Sequence, residues 1–103
     1  MTKEFLAKIQ DIPKEEGLVV RLSSGQEIAL FHTEEGFYAI ENACPHMGGP
    51  LSEGLVEGGC VSCPWHGWEF DIKTGACTNH PSNFVKSYPL TVEGTEIFLM
   101  SSA

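Results

Sequence analysis

Cys44-Pro45-His46 is followed, after sixteen intervening residues, by Cys63-Pro64-Trp65-His66. Each segment offers one thiol and one imidazole, and the prolines and nearby glycines are typical of loops. Thiolate sulfur and imidazole nitrogen are strong protein ligands for soft and borderline metal ions. The sequence therefore predicts a metal site built from two loops, with Cys44, His46, Cys63 and His66 as its ligands.

The order of these ligands indicates which metal group they hold. A structural zinc site commonly takes two cysteines close together and then two histidines. In this chain each loop has one of each, so that two facing loops can place both sulfurs on one metal ion and both nitrogens on a second. Two irons bridged by two sulfides fit this geometry, and two histidines replace two cysteines on one iron in Rieske centres. A zinc-binding module without redox activity remains the alternative.

The two loops and their flanks resemble those of soluble Rieske 2Fe-2S ferredoxins. The resemblance includes residues 51–54 between the loops and residues 68–75 after the second. It implies one Rieske-type 2Fe-2S cluster, with Cys44 and Cys63 on the inner iron and His46 and His66 on the outer, solvent-facing iron. Residues 27–32 and 44–54 also resemble the Rieske-like small subunit of assimilatory nitrite reductase.

Four positions differ from the high-potential Rieske proteins of respiratory complexes. Those proteins have a further cysteine in each loop, which together form a disulfide, whereas the resemblance places Gly49 and Trp65 there. They also place a serine and a tyrosine hydroxyl beside the cluster, where this chain has Trp68 and Phe70. Hydrogen bonds to the cluster sulfurs stabilise the reduced form, so their loss predicts a low midpoint potential.

Small and aromatic residues of the loops are expected to support the cluster. Glycines lack a Cβ and can bring backbone amides close to the negative sulfurs, as expected for Gly48, Gly49 and Gly67. Trp65 is expected to shield the cluster from solvent. Pro81 is placed by a weaker resemblance in a third loop that covers the cluster.

Outside the loops the sequence predicts a succession of short strands. Apolar and aromatic segments alternate with turn-forming residues, and no segment has a sustained helical period. Strands are predicted at residues 18–22, 26–32, 36–40, 60–62, 69–71, 85–92 and 96–100, with single helical turns at 10–13 and around Asn83. The predicted fold class is all-β, a Rieske-like antiparallel sandwich or barrel with two cluster-binding loops at one end.

The length of the chain bears on its activity. We expect residues 1–103 to form a single Rieske 2Fe-2S domain. Oxygenases with a Rieske domain need a further large domain for a catalytic mononuclear iron, and none is expected here. The prediction is an electron-transfer protein with no catalytic residues, which passes single electrons from a reductase to a terminal oxygenase. The alternative is the small subunit of a larger redox enzyme such as assimilatory nitrite reductase.

The remaining cysteines and histidines are not expected to bind the metal. Cys60 and Cys77 could form a disulfide, but two largely buried free thiols are the favoured interpretation and indicate a reducing compartment. His32 and His80 are expected to be structural or surface residues. Because no apolar run has the length of a signal peptide or a membrane span, the expected compartment is the cytoplasm.

The charge distribution predicts the kind of partner. The chain has fourteen acidic and six basic residues, a formal net charge of -8, yet no Lys or Arg lies between Leu22 and Ile72. The acids of this stretch are Glu27, Glu34, Glu35, Glu41, Glu53, Glu57, Glu69 and Asp71. Nucleic acid and anionic membranes are therefore excluded as partners. A basic surface on a reductase, a terminal oxygenase or another redox enzyme would be steered to this half by transient electrostatic docking.

Overall fold

The computed structural model describes residues 2–45, 48–65 and 67–101. Within these ranges ten strands pair into antiparallel sheets with the orders β1-β10-β9, β2-β3-β4-β8 and β5-β6-β7. The strands are β1 (Thr2–Lys8), β2 (Glu16–Arg21), β3 (Glu27–Thr33), β4 (Gly36–Glu41), β5 (Leu55–Glu57), β6 (Cys60–Ser62), β7 (Glu69–Asp71), β8 (Ser87–Tyr88), β9 (Leu90–Glu93) and β10 (Glu96–Ser101). Short 3-10 helices span Ile9–Asp11 and Leu51–Glu53. The predicted all-β antiparallel class is confirmed.

Strand β3 lies between two hydrophobic cores. Side chains alternate between the faces of a strand, so a strand buried on both faces is apolar at successive positions. Ile28 and Leu30 are fully buried in one core, whereas Ala29 and Phe31 are fully buried in the other. The four-stranded sheet is therefore the middle layer of the molecule.

The two cores connect this middle layer to the two outer sheets. One core includes Leu6, Ala7 and Ile97 from the β1-β10-β9 sheet. The other core includes side chains of the β5-β6-β7 sheet and of the ligand loops; its members are Ala29, Phe31, Ile40, Cys44, Leu51, Val56, Val61, Cys63, Phe70, Ile72, Cys77 and Val85. We call this second set the ligand-side core. Both predicted cysteine ligands belong to it.

Most predicted strands are confirmed, and the differences have local causes. The strand predicted at 85–92 was wrong as one unit: the chain pairs with β4 up to Tyr88 and with β10 from Leu90. Pro89 has no N–H to donate to a ladder, and the chain changes sheets at this residue. The single turn predicted at 10–13 matches the 3-10 helix Ile9–Asp11, one residue earlier.

Two further differences lie near the predicted site. Instead of a helical turn around Asn83, the structure has a turn in which the N–H of Asn83 donates to the C=O of His80 at 2.9 Å. Strand β5 and the 3-10 helix Leu51–Glu53 were not predicted, because each is only three residues long and has no periodicity to detect. Among the described residues, no helix is long and apolar enough to cross a membrane.

Candidate metal centre

The two predicted ligand loops have the same backbone hydrogen bonds. In the first loop (residues 44–49), the N–H of Cys44 donates to the C=O of Gly49 at 2.9 Å and the N–H of Gly48 to the C=O of Cys44 at 2.7 Å. In the second (residues 63–68), the N–H of Cys63 donates to the C=O of Trp68 at 2.7 Å and the N–H of Gly67 to the C=O of Cys63 at 3.1 Å. Each cysteine thus begins a loop of the same type.

The ends of the loops and their glycines repeat the same geometry. The residues that flank each loop are paired across it, Ala43 with Pro50 and Ser62 with Glu69. Four residues after each cysteine stands a glycine with positive φ, 75° at Gly48 and 73° at Gly67, a conformation that residues with a Cβ adopt only at a cost. Both loops therefore present their cysteines on equivalent backbones.

The cysteine side chains point into the protein. Cys44 is 2% exposed and Cys63 3%, and both pack in the ligand-side core. Two thiols buried in the same apolar core are suited to hold the inner part of a metal cluster, because the surrounding side chains exclude water from the sulfur atoms.

Gly49 is where the two loops meet. A Cβ on this residue would lie 2.8 Å from Sγ of Cys63, closer than real Cβ atoms approach, and 3.2 Å from the indole ring of Trp65, a tight contact. The resemblance places a disulfide at these two positions in high-potential relatives, and here a tryptophan ring lies against a glycine instead. Trp65 is 56% exposed and its ring lies against Gly49, while its predicted shielding of the cluster stays a prediction.

Two glycine amides have a different role from the one predicted. The N–H groups of Gly48 and Gly67 donate to the carbonyls of Cys44 and Cys63, which corrects the expectation that they lie free to approach the sulfurs. Their function is to close the loops. The lack of a Cβ at Gly49, by contrast, does bring backbone close to a thiol.

The histidine ligands lie outside the described residues. His46 and His66 were predicted as ligands, and no contact of either is assigned here. Within residues 2–45, 48–65 and 67–101, no three Cys, His, Asp or Glu side chains lie together as a metal site would require. The cysteines are thus the part of the predicted ligand set that the structure places.

His32 and His80 have structural contacts, as predicted. Nδ1 of His32 lies 2.9 Å from the carbonyl oxygen of Ile12, and its ring stacks on Phe37 with ring centroids 4.2 Å apart. The ring of His80 stacks on Trp68 at 4.1 Å. Trp68 itself packs against the ligand-side core.

A third loop, residues 78–86, is joined to the second ligand loop. Nδ2 of Asn79 donates to the carbonyl oxygen of Gly67 at 3.1 Å, while its Oδ1 accepts from the N–H of Glu69 at 3.1 Å. The stacking of His80 on Trp68 adds an apolar contact between the same loops. Pro81 belongs to this third loop, whose contacts with the second ligand loop come from Asn79 and His80; that Pro81 covers the cluster stays a prediction.

Sequence reasoning did not identify two asparagines beside the loops. Asn42, two residues before Cys44, is 8% exposed and its Oδ1 accepts from the N–H of Ser52 at 2.9 Å. Asn42 thereby connects the entry of the first loop to the 3-10 helix Leu51–Glu53. Asn79 connects the exit of the second loop to the third loop. Both could have been suspected only from their positions near the Cys/His motifs, because an asparagine in a loop is common for many reasons.

None of the four cysteines, all of which lie in the described residues, forms a disulfide. Cys77 is buried, as predicted, whereas Cys60 on β6 is only partly buried. Burial raises the pKa of the Cys60 thiol, and the nearby carboxylates of Glu69 and Asp71 raise that pKa further. Cys60 is therefore held in its thiol form at neutral pH.

Basic residues that flank the acidic stretch neutralise part of it. Arg21 pairs with Glu27 at 3.6 Å, Lys14 pairs with Glu34 at 3.7 Å, and Lys73 pairs with Glu35. Within the described part of the chain, no Lys or Arg forms an ion pair with Glu41, Glu53, Glu57, Glu69 or Asp71. The sheet β5-β6-β7 and the helix Leu51–Glu53 carry four of these five acids, so the unneutralised charge lies close to the ligand loops.

The donor set and the space around it fit a 2Fe-2S group. Two matched loops direct buried thiols into one core, and the approach of Gly49 to Cys63 keeps the loops in contact. Soft thiolate ligands favour iron–sulfur chemistry, and when bound such a cluster supplies one-electron transfer.

Comparison with known proteins agrees with this chemistry. The sequence profile of the Rieske [2Fe-2S] domain matches residues 2–89. The ferredoxin component of the p-cumate 2,3-dioxygenase system of Pseudomonas putida is 38% identical over 96 residues, which cover 91% of this chain and 81% of the relative. The ferredoxin component of naphthalene 1,2-dioxygenase/salicylate 5-hydroxylase systems of a Ralstonia species is 34% identical over 102 residues, covering 96% and 97%.

Solved structures share the fold over almost the full chain. The Sphingomonas yanoikuyae B1 ferredoxin superposes with a TM-score of 0.89 at 26% identity, covering 98% of this chain and all of that one. A proposed small subunit of an NADH-dependent nitrite reductase from Mycobacterium tuberculosis superposes with a TM-score of 0.88 at 26% identity, covering 99% and 96%.

The chain belongs to the Rieske [2Fe-2S] domain family. Its cofactor is a Rieske-type 2Fe-2S cluster with cysteine and histidine ligands, and the zinc-module alternative is set aside. The protein is a ferredoxin-type electron carrier and not an enzyme, as the sequence predicted.

Proposed function

We propose that this protein carries single electrons from a reductase to the terminal oxygenase of a system that hydroxylates aromatic compounds. The observation that carries the proposal is the match, over nearly the whole chain, to ferredoxin components of dioxygenase systems. The matched ligand loops, each with a buried cysteine, supply the site such a carrier needs. We further propose that residues 1–103 act as one domain in the cytoplasm, which the lack of a disulfide between Cys60 and Cys77 supports.

The proposed cluster ligands are Cys44, His46, Cys63 and His66. The equivalent loop backbones and the burial of both thiols support the cysteines. The histidines are supported by their spacing in the sequence, two and three residues after the cysteines.

A role as a tightly bound subunit of a larger redox enzyme is the second candidate function. The ferredoxin and nitrite reductase structures match this fold almost equally, with TM-scores of 0.89 and 0.88, so the fold does not separate the two functions. The sequence relatives at 38% and 34% identity are ferredoxin components, which favours the free carrier. Size-exclusion chromatography of the native protein discriminates between the two roles, because a stable stoichiometric complex with a larger enzyme favours the subunit.

Reconstitution tests the carrier role directly. The holo-protein is added to a purified reductase and terminal oxygenase of an aromatic-ring dioxygenase system that lacks its own ferredoxin. We expect oxidation of the aromatic substrate to depend on the added protein and to saturate with its concentration. A holo-protein that the reductase reduces, but that never supports turnover by any such oxygenase, contradicts the proposal.

We predict a midpoint potential at the low end of the Rieske range, about -150 mV. Phe70 is fully buried and Trp68 packs against the ligand-side core. Because neither residue type has a hydroxyl group, neither position offers the hydrogen bond that would stabilise a reduced cluster. A spectroscopic redox titration measures this value. A clearly positive midpoint would mean that other donors supply the missing hydrogen bonds.

Electron transfer to the partner is predicted to slow as ionic strength rises. Opposite charges on two proteins accelerate their encounter, and salt screens them over about 10 Å at 0.1 M. Glu57 on β5 is exposed and outside any ion pair of the described residues, so E57Q should lower the association rate in low salt. E96Q is the control, because Glu96 is an exposed strand residue in the opposite outer sheet. If the rate of electron transfer does not change with salt concentration, electrostatic steering does not contribute to docking.

A further inference from the structure

The side chain of Asn79 bridges two backbone groups at the exit of the second ligand loop. Its Nδ2 donates to the carbonyl oxygen of Gly67, and its Oδ1 accepts from the N–H of Glu69, both at 3.1 Å. The thiol of Cys77 also contacts Oδ1, at 3.4 Å. One side chain therefore holds the segment 67–69 at two points.

The polarity of these backbone partners requires an amide. A carbonyl oxygen only accepts and an amide N–H only donates, so the bridging side chain must offer one donor and one acceptor in a planar group. An aspartate at this position would keep the bond from Glu69 but would place a carboxylate oxygen against the carbonyl oxygen of Gly67. The residue type at position 79 is thus specified by the contact.

Gly67 is the residue that follows the proposed ligand His66. Its N–H donates to the carbonyl of Cys63 within the loop, and its C=O accepts from Asn79 of the third loop. Both backbone polar groups of Gly67 are therefore fixed, although its positive φ would otherwise be compatible with several arrangements. The bond from Asn79 therefore holds the backbone of Gly67, the residue that follows His66 in the sequence.

The first loop is different at the equivalent position. The N–H of Gly48 makes the matching bond to Cys44. Among residues 2–45, 48–65 and 67–101, no side chain donates to the carbonyl of Gly48. The bridge from the third loop is thus an addition to the second loop and not a requirement of the shared loop backbone.

We propose that Asn79 is a positioning residue for the metal centre, which orients the second ligand loop so that the imidazole of His66 binds iron in one defined geometry. This inference rests on the proposed ligand set. Groups that orient metal ligands from outside the ligand shell commonly change metal affinity 10–100-fold when they are mutated. Because Asn79 is exposed to water, we expect the lower end of that range.

The test compares N79D with N83D as purified holo-proteins. Asn83 lies in the same loop, and in the described structure its side chain makes no hydrogen bond to the ligand loops, so N83D adds the same charge without breaking the bridge. Three quantities are measured: far-UV circular dichroism, the rate of iron release to a chelator, and the electron paramagnetic resonance spectrum of the reduced cluster. We expect N79D to release iron about tenfold faster than wild type and to show shifted g values, with N83D close to wild type.

Each outcome is decisive. If N79D matches N83D in release rate and g values, Asn79 is not a positioning residue. Faster release with unshifted g values also overturns the proposal, because it indicates general loosening of the fold. If the wild type carries no iron–sulfur cluster, the proposed ligand set fails first, and that result is distinct because it appears before any variant is compared.

A second pair of variants applies if N79D does not fold. N79Q keeps the amide but displaces it by one methylene, and N83Q makes the same change at the control position. Faster iron release and shifted g values in N79Q, relative to N83Q, support the proposal. Equal behaviour of this pair overturns it.

Discussion

Replacement of Cys63 by serine is expected to give a colourless protein that holds almost no iron or acid-labile sulfide. The Cys63 thiol is 3% exposed and lies in the ligand-side core, beside Gly49 of the facing loop. A serine hydroxyl is a much weaker acid than a thiol and a harder ligand, so it does not replace thiolate on iron–sulfur iron. Iron and sulfide analysis of the purified protein, with its visible spectrum, measures the effect.

C77S is the matched control for this experiment. Cys77 is equally buried at 3% exposure and belongs to the same core, but its Sγ contacts Asn79 and not the facing ligand loop. A serine hydroxyl can keep that hydrogen bond, so we expect C77S to retain its cluster with some loss of stability. If C63S remained red-brown with two irons per chain, or if C77S lost as much iron, Cys63 would not be a ligand.

Replacement of Gly49 by alanine is expected to lower cluster affinity about tenfold, a size typical of changes next to a metal ligand. The new methyl group would lie 2.8 Å from Sγ of Cys63 and 3.2 Å from the Trp65 ring. Trp65 is more than half exposed and can move toward solvent, whereas Cys63 is enclosed by the core. The sulfur must therefore shift or the loops must separate. Iron content per chain after reconstitution with limiting iron and sulfide measures the loss.

G48A separates this effect from ordinary loop strain. Gly48 has a φ of 75°, so a Cβ there costs about 1–2 kcal/mol of backbone energy, but the methyl group would have no described residue within 4 Å. We expect G48A to have a lower melting temperature and a normal iron content. If G49A instead binds iron like the wild type, or if both variants lose iron equally, the contact between Gly49 and Cys63 does not shape the site.

These two experiments probe different kinds of information in the chain. Cys63 was predicted from local spacing alone, since a thiol and an imidazole within a four-residue loop are sufficient to suggest a metal ligand. Gly49 was predicted, together with Gly48 and Gly67, to bring backbone close to the sulfurs, but the sequence did not indicate which thiol it approaches. Its close approach to the thiol depends on how one loop packs against another that begins fourteen residues later.

The strands show the same difference between what local sequence predicts and what tertiary packing decides. Apolar runs such as Ile28 to Phe31 are long enough to predict a buried strand, and β3 confirms it. The division of residues 85–92 between two sheets was not predicted, because apolar residues on both sides of Pro89 suit a strand equally well and only the sheets they pair with differ. Strand β5, three residues long, is formed by its pairing with β6.

Sequence was sufficient for the cluster type, the carrier function and the all-β class, because Cys/His order, apolar alternation and turn residues are local properties read along the chain. The tertiary structure was needed for the equivalence of the loop backbones, the contact of Gly49 with Cys63, and the bridge from Asn79 to Gly67. It also showed that bases flanking the acidic stretch neutralise part of its charge. The contacts of Gly49 with Cys63, of Asn79 with Gly67 and of Lys73 with Glu35 join residues that are distant in sequence, and their geometry is set by the packing of sheets and loops that no local pattern specifies.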